Sequence, residues 1–361
     1  MVKFPRPSFA AALLVVSFCA LVLGALAASG SNPKSLSSRT ASAAGQIKLG
    51  VVSSGYKNDA GYTGAIYQGV VAAEKLNPNL KLTSFVESIS AAAAPQVLRD
   101  LSLNDNVVYA GSRSYTSAIQ TIAPQYPHVF YILTGPALPT LIPNVVSLDA
   151  WSQLATIPAG MAMAALSKTG KIGIINGVST PQVQQIVDGL QFGARLVNRK
   201  IRVFSVITGD YEDVTKALSA ADAMISNGVD EILTVLDVGN QGVFTAAHQH
   251  GHVGVLQFTF SQQETSYFCT KIPSLVGAVF QDNTTIFENA MKDYAAGKLK
   301  AGAVIYTART PNVVRFSLCK GKGTALARKV AAQGASELAK GKLKYPKNLL
   351  NALPPYKVVQ K

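Results

Sequence analysis

An α/β fold of two doubly wound lobes is expected from three features of the chain. Short β-branched runs alternate with longer amphipathic ones from residue 46 onward, the runs at the strand positions are too apolar for a sheet with one wet face, and 361 residues exceed one ordinary core. Only 14% of residues are charged against 48% hydrophobic, which excludes a disordered polyelectrolyte, and the 29 Gly and 17 Pro carry no short period.

The elements follow in order. Strands are expected at 47–52, 80–85, 107–110, 129–133, 145–148, 172–175, 201–207, 232–236, 253–260 and 275–280. Helical periodicity fills the intervals at 62–76, 94–103, 116–123, 154–166, 181–197, 214–226, 241–250 and 284–296. Apolar strands joined through helices imply parallel sheets covered on both faces with right-handed crossovers. About four such units precede residue 150 and three or four follow it, so two lobes face each other across a cleft. Ligands of such sheets gather at the carboxyl ends of the strands.

Ahead of this body, Lys3 and Arg6 precede an apolar run at 9–26, and Ala25-Leu26-Ala27 is an A-x-A cleavage site. Residues 1–27 read as a secretory signal, with an uncleaved membrane anchor as the alternative. Cys19 follows Phe18 inside the apolar run, which fits poorly with lipidation. Residues 28–45, rich in Ser, Ala and Gly, read as a flexible tether. The protein is therefore expected outside the cytoplasm, in the periplasm or its equivalent, free or tethered. There, Cys269 and Cys319 could pair or remain buried thiols. A bond closing about 50 residues would contribute roughly 3 to 4 kcal/mol.

The formal charge is +14, and from Ala301 onward twelve Lys or Arg stand against one acid, Glu337. Few aromatics interleave with these cations and no recognition motif carries them, so no nucleic-acid partner is expected. A solvated basic face, or contact with anionic lipid or a protein, remains open.

Four loops at strand ends concentrate polar groups. After the first strand, Asn58 and Asp59 can cap the next helix or grip a ligand's hydroxyl or ring N–H groups, and Tyr62 can stack on a flat guest or pack in the core. After the third comes Gly111-Ser112-Arg113-Ser114-Tyr115-Thr116. Asn176-Gly177 and Asp237-Val238-Gly239-Asn240 end later strands. His248, His250 and His252 invite a metal, but positions two apart on a helix point to different sides, and Gly251 reads as the helix stop. Nucleotide-cradle, zinc and hydrolase motifs do not occur, so neither cofactor nor catalysis is expected. Asn283-Thr284-Thr285 matches the glycosylation acceptor pattern.

At these loops the chain resembles the basic membrane protein group of ABC-importer substrate-binding proteins, whose characterised members bind purine nucleosides. The stretches are GYKNDAGYTGAIYQG at 55–69, against a family pattern near G-x-D-D-x-S-F-N-Q-x-x-W-E-G, and SKTGKIGIINGVSTP at 167–181; 188–198 and 239–251 extend the likeness over roughly residues 46 to 320. The resemblance implies a type I periplasmic-binding-protein fold with a three-strand hinge. Its lobes would comprise residues 46–149 with 277–300, and 150–276 with 301–361.

By the same resemblance, Asn58 and Asp59 would hold a base edge, Tyr62 would stack on it, and Tyr115 would line the pocket beside Gly177 and Asp237. Departures accompany the match. Leu256 stands where the family carries a ribose-binding acid, Gln281 where a Lys follows the next strand, and Ser117 at a usual acid, leaving Gln257 and Gln281 as neutral hydrogen-bonding substitutes. The function implied is non-catalytic capture of a small polar heterocycle by a monomer and its delivery to an ABC permease. A sensor ectodomain on the same scaffold is the second reading and a nucleoside hydrolase the third.

Overall fold

The computed structural model describes residues 45–59, 61–261, 268–310 and 312–361. All of them fall in one compact unit. The signal and tether expected at 1–45 lie almost wholly outside the described residues.

The first sheet holds β1 (Ile47–Val52), β2 (Leu80–Val86), β3 (Val107–Ala110), β4 (Phe130–Thr134) and β5 (Val145–Ala150), joined by β11 (Gly302–Tyr306) and β13 (Val358–Gln360). Its order is β13-β11-β5-β4-β3-β1-β2 and every pairing is parallel. The second sheet holds β6 (Lys171–Asn176), β7 (Arg202–Ile207), β8 (Glu231–Val235), β9 (Gly254–Thr259), β10 (Leu275–Gln281) and β12 (Val314–Leu318). Its order is β12-β10-β9-β8-β6-β7, with β12 antiparallel at one edge. Strands β3, β4, β5 and β8 are buried along their whole length, as strands covered on both faces must be.

Helices cover each sheet. In the first lobe α1 (Tyr62–Leu76) packs with α8 (Asn283–Ala295), and α2 (Ala94–Asn104) with α3 (Thr116–Ile122). In the second, α4 (Thr156–Leu166) lies between α5 (Pro181–Val197) and α9 (Ala325–Ala339), while α6 (Val214–Ser226) packs on α7 (Asn240–His250). Helix α4 is buried on nearly every side, which its sequence, apolar after Thr156, allows. It approaches α5 closely because Gly193 faces the Ile157 carbonyl, where an added Cβ would sit 1.9 Å from the oxygen.

The chain crosses between lobes three times, after β5, after β10 and after β11, and a fourth time through residues 340–357 before β13. The allocation of all of 301–361 to the second lobe is therefore corrected: β11 and β13 belong to the first sheet. Likewise 277–281, expected in the first lobe, is part of β10 in the second sheet. Backbone pairing between residues 150 positions apart leaves no local trace in sequence, so a short apolar run such as GAVIY does not announce which sheet it joins.

Cys269 and Cys319 form a disulfide, tying the segment after β9 to the end of β12. Gly251 adopts the left-handed conformation that ends α7, at φ 73°. His250 faces Asp222 and His252 bonds the His250 carbonyl; among the described residues no metal-binding cluster of His, Cys, Asp and Glu occurs. Asn283 is buried at the start of α8, which removes the acceptor pattern there from the surface. Among the described residues no helix is long and apolar enough to cross a membrane.

Candidate ligand cleft

Strand order locates the site. In the first sheet β2 and β3 lie on opposite sides of β1, and in the second β7 and β8 lie on opposite sides of β6. Each is a topological switch point, where loops part and leave a crevice at the carboxyl ends. The first crevice is bounded by the loops after β1 and β3, the second by those after β6 and β8. These are the four polar loops that stand out in the sequence.

The two switch points meet. Asp237, after β8, lies against Gly61 at the start of α1, where an added Cβ would fall 2.1 Å from Asp237 Oδ1 and 2.5 Å from its Cγ. The Tyr62 ring packs edge-on against Phe260, just beyond β9, with centroids 5.1 Å apart. Ser261 approaches Gln68, its Oγ 3.4 Å from Oε1, and the Thr284 hydroxyl donates to the Ala65 carbonyl at 3.0 Å. Both lobes thus touch the first turns of α1.

On the first lobe the polar groups bond to one another. Asp59 Oδ1 accepts from the Gly64 amide at 2.6 Å and the Gly61 amide at 3.2 Å, capping α1 in place of Gly61, which has no side chain to do so. Burial raises its carboxyl above the usual carboxylate range despite those amides and Thr63. The Tyr62 hydroxyl bonds Thr134, and so does the Tyr109 hydroxyl. Burial pushes the Tyr62 phenol up to about 12; Arg113 and the Thr134 bond oppose the shift, and Asp149 and Asp237 add to it. Arg113 pairs with Asp149, whose second oxygen accepts from Asn351 of the fourth crossing at 3.3 Å.

On the second lobe Tyr211 lies flat against Gly177, leaving no room for a Cβ there. Its backbone carbonyl accepts from the Asp237 and Gly239 amides. Glu212 accepts from the Val238 amide at 3.2 Å; its carboxyl is raised by burial, and the Asp59 charge across the interface adds to the rise. Asn176, at the end of β6, is fully buried, and neither its amide oxygen nor its nitrogen has a partner among the described residues.

The structure thus brings Asp59, Tyr62, Gly177 and Asp237 to the meeting of the switch points. Asn58, one residue before Asp59, is exposed. Tyr115 is fully buried among the first lobe's apolar residues and donates to the Ile89 carbonyl at 2.6 Å. Gln257 sits inside β9 opposite Thr234 and Ala278, and Leu256 is wholly buried in the core. Gln281 ends β10 with Nε2 on Asn283 Oδ1 at 3.0 Å and Oε1 unpaired among the described residues. Sequence reasoning missed Phe260, Thr134, Tyr211 and Glu212. Phe260 and Thr134 adjoin strand ends and could have been weighed, whereas nothing in the run around Tyr211 marks it.

A family model described as "ABC transporter substrate-binding protein PnrA-like" matches residues 46–346. Basic membrane protein A of Borreliella afzelii is 24% identical over 302 residues, 79% of this chain and 90% of that protein. Basic membrane protein A2 of Borrelia garinii subsp. bavariensis is 24% identical over 210 residues, and the chain spans 60% of its length. A purine-binding protein of Brucella abortus is 28% identical over 212 residues, 57% of this chain and 58% of that one. Among solved structures, an ABC transporter solute-binding protein from Aeropyrum pernix K1 matches at TM-score 0.71 and 17% identity, over 83% of this chain and 94% of the other. An arabinose-binding protein from Geobacillus stearothermophilus matches at TM-score 0.54 and 15% identity, over 69% and 86%. At these identities the solved structures show the shared fold alone.

Proposed function

The chain belongs to the family of PnrA-like ABC transporter substrate-binding proteins, and from that premise we propose that it captures a purine between its lobes and delivers it to an ABC permease. Proteins of this family are substrate-binding proteins, not enzymes. The observation that carries the ligand reading is the meeting of the two switch points around Tyr62. An aromatic ring at the mouth of a closing crevice offers a stacking face to a flat heterocycle. Asp237 supplies an acceptor for ring N–H or ribose hydroxyl groups, and the unpaired amide of Asn176 both donates and accepts, as a purine edge requires. The purine-binding protein of Brucella abortus supports the same class.

Leu256 bears on which purine. At that position of β9 the side chain is apolar and packed in the core, so ribose hydroxyls find no carboxylate there, and a hydroxyl buried without a partner costs about 1 to 3 kcal/mol. A free base is favoured over a nucleoside. Export is supported by the positive start, the apolar run at 9–26 and the A-x-A site. Capture and handover need one folded copy, and the protein acts as a monomer.

A thermal-shift panel of hypoxanthine, guanine, adenine, their nucleosides, ribose and glucose tests this reading. At 100 times its dissociation constant a true ligand adds about 2.7 kcal/mol of stability. Purine bases raise the melting temperature most, nucleosides less, and sugars not at all. A shift with sugars and none with any purine would overturn the proposal.

A further inference from the structure

A second concavity lies away from the cleft and shares none of its residues. It has a volume of about 420 Å³ and a floor of Trp151, Leu154 and Leu338, with Tyr345, Arg309 and Lys344 among its other walls. The three floor residues are buried and belong to one apolar cluster with Leu349. Arg309 and Lys344 are exposed, so they form the rim. The Arg309 guanidinium lies on Gly341, where an added Cβ would come within 2.6 Å of it. The nearby C-terminal end of α9 attracts a cation and holds it at the mouth.

The chemistry is one-sided. Among the described residues no carboxylate side chain lines the cavity. Among the described residues, neither Arg309 nor Lys344 forms an ion pair; the nearby Lys361 is already matched by Asp293 at 2.7 Å. An apolar floor under two unmatched cations calls for a guest with an apolar body and one anionic end. The volume falls within the roughly 300–1,000 Å³ usual for small-molecule sites.

We propose that this cavity is a second ligand site, for a small organic anion of the medium-chain carboxylate class. The hydrocarbon end lies on Trp151, Leu154 and Leu338, and the carboxylate meets the Arg309 fork and the Lys344 ammonium. The site stands independently of what the cleft binds.

Trp151 is the chain's one tryptophan, so its emission reports the cavity directly. Titrating the full protein with octanoate should give a saturable change in that emission. Hexanoate, two methylenes shorter, should bind about tenfold more weakly. Octanol, which lacks the charge, should be weaker than octanoate by about tenfold. Replacing both rim cations, Arg309→Gln with Lys344→Gln, should weaken octanoate by a similar factor and leave the melting temperature unchanged. A non-saturable response to octanoate, equal binding of octanol, or unaltered octanoate binding by a folded double variant would overturn the proposal. The octanoate and octanol comparison on the unaltered protein decides the matter even if the variant fails to fold.

Discussion

At the first lobe's switch point the polar groups satisfy one another: Asp59 caps α1, Tyr62 and Tyr109 share Thr134, and Arg113 pairs with Asp149. At the second, Asn176 is buried with both ends of its amide unpaired among the described residues. A wall whose groups are already bonded is rigid and offers shape, here the face of Tyr62. A wall that carries unpaired amides pays for them in stability, about 1 to 3 kcal/mol each, and proteins keep such groups where a ligand meets them. On the proposed function, the difference would give stacking to the first lobe and hydrogen bonding to the second.

The strongest way to break this comparison is to keep the two walls apart. Gly61→Val places a side chain where Asp237 lies. Purine affinity should fall by about a hundredfold or more, while the melting temperature of the guest-free protein changes little. Isothermal titration calorimetry measures the first and calorimetric melting the second; unchanged affinity would mean that the lobes need not meet. On the stacking wall, Tyr62→Ala should weaken binding by about ten- to a hundredfold, the usual worth of a stacked base. Tyr62→Phe keeps the ring, loses only the Thr134 bond, and should cost less than about tenfold.

The amide wall has an opposite signature. Asn176→Leu should weaken purine binding by about tenfold and yet raise stability to urea by about 1 kcal/mol, because an unpaired buried amide is removed. A variant that loses stability and keeps affinity would reverse the assignment of the two walls.

The amino end of the second sheet sharpens the contrast, since an unpaired group there faces no crevice. Glu231 begins β8, buried against Gly254, and one of its oxygens has no partner among the described residues. Burial, with Asp230 adding to it, pushes its carboxyl up to about 8. Between the unfolded value near 4.5 and about 8 the folded protein holds a proton that the unfolded chain releases, so this group's contribution to stability falls as pH rises through that window. Glu231→Gln should flatten the decline, adding about 1 to 2 kcal/mol at pH 8 and little at pH 5 by urea unfolding. Affinity should not move.

Local pattern explains what was legible. Helices at 62–76, 181–197 and 214–226 and strands at 47–52 and 107–110 match their expected bounds, because apolar period and capping residues are written within each segment. The four loops of the crevices were legible for the same reason: they follow strand ends. Beyond residue 296 the expected elements stop, although β11, β12, α9 and β13 are all present; the partners of β11 and β13 are set by pairing over long separations. Side-chain direction was the other loss. Spacing alone did not tell that Tyr115 would be buried, or that Asp59 would bond the helix amides.

Co-crystallising the protein with hypoxanthine tests the central claim most directly. The account predicts a flat guest against the Tyr62 ring with its edge within hydrogen-bond distance of Asn176, both lobes in contact through Gly61 and Asp237. A guest bound elsewhere, or one held by the first lobe alone with the Asn176 amide still unpaired, would contradict it.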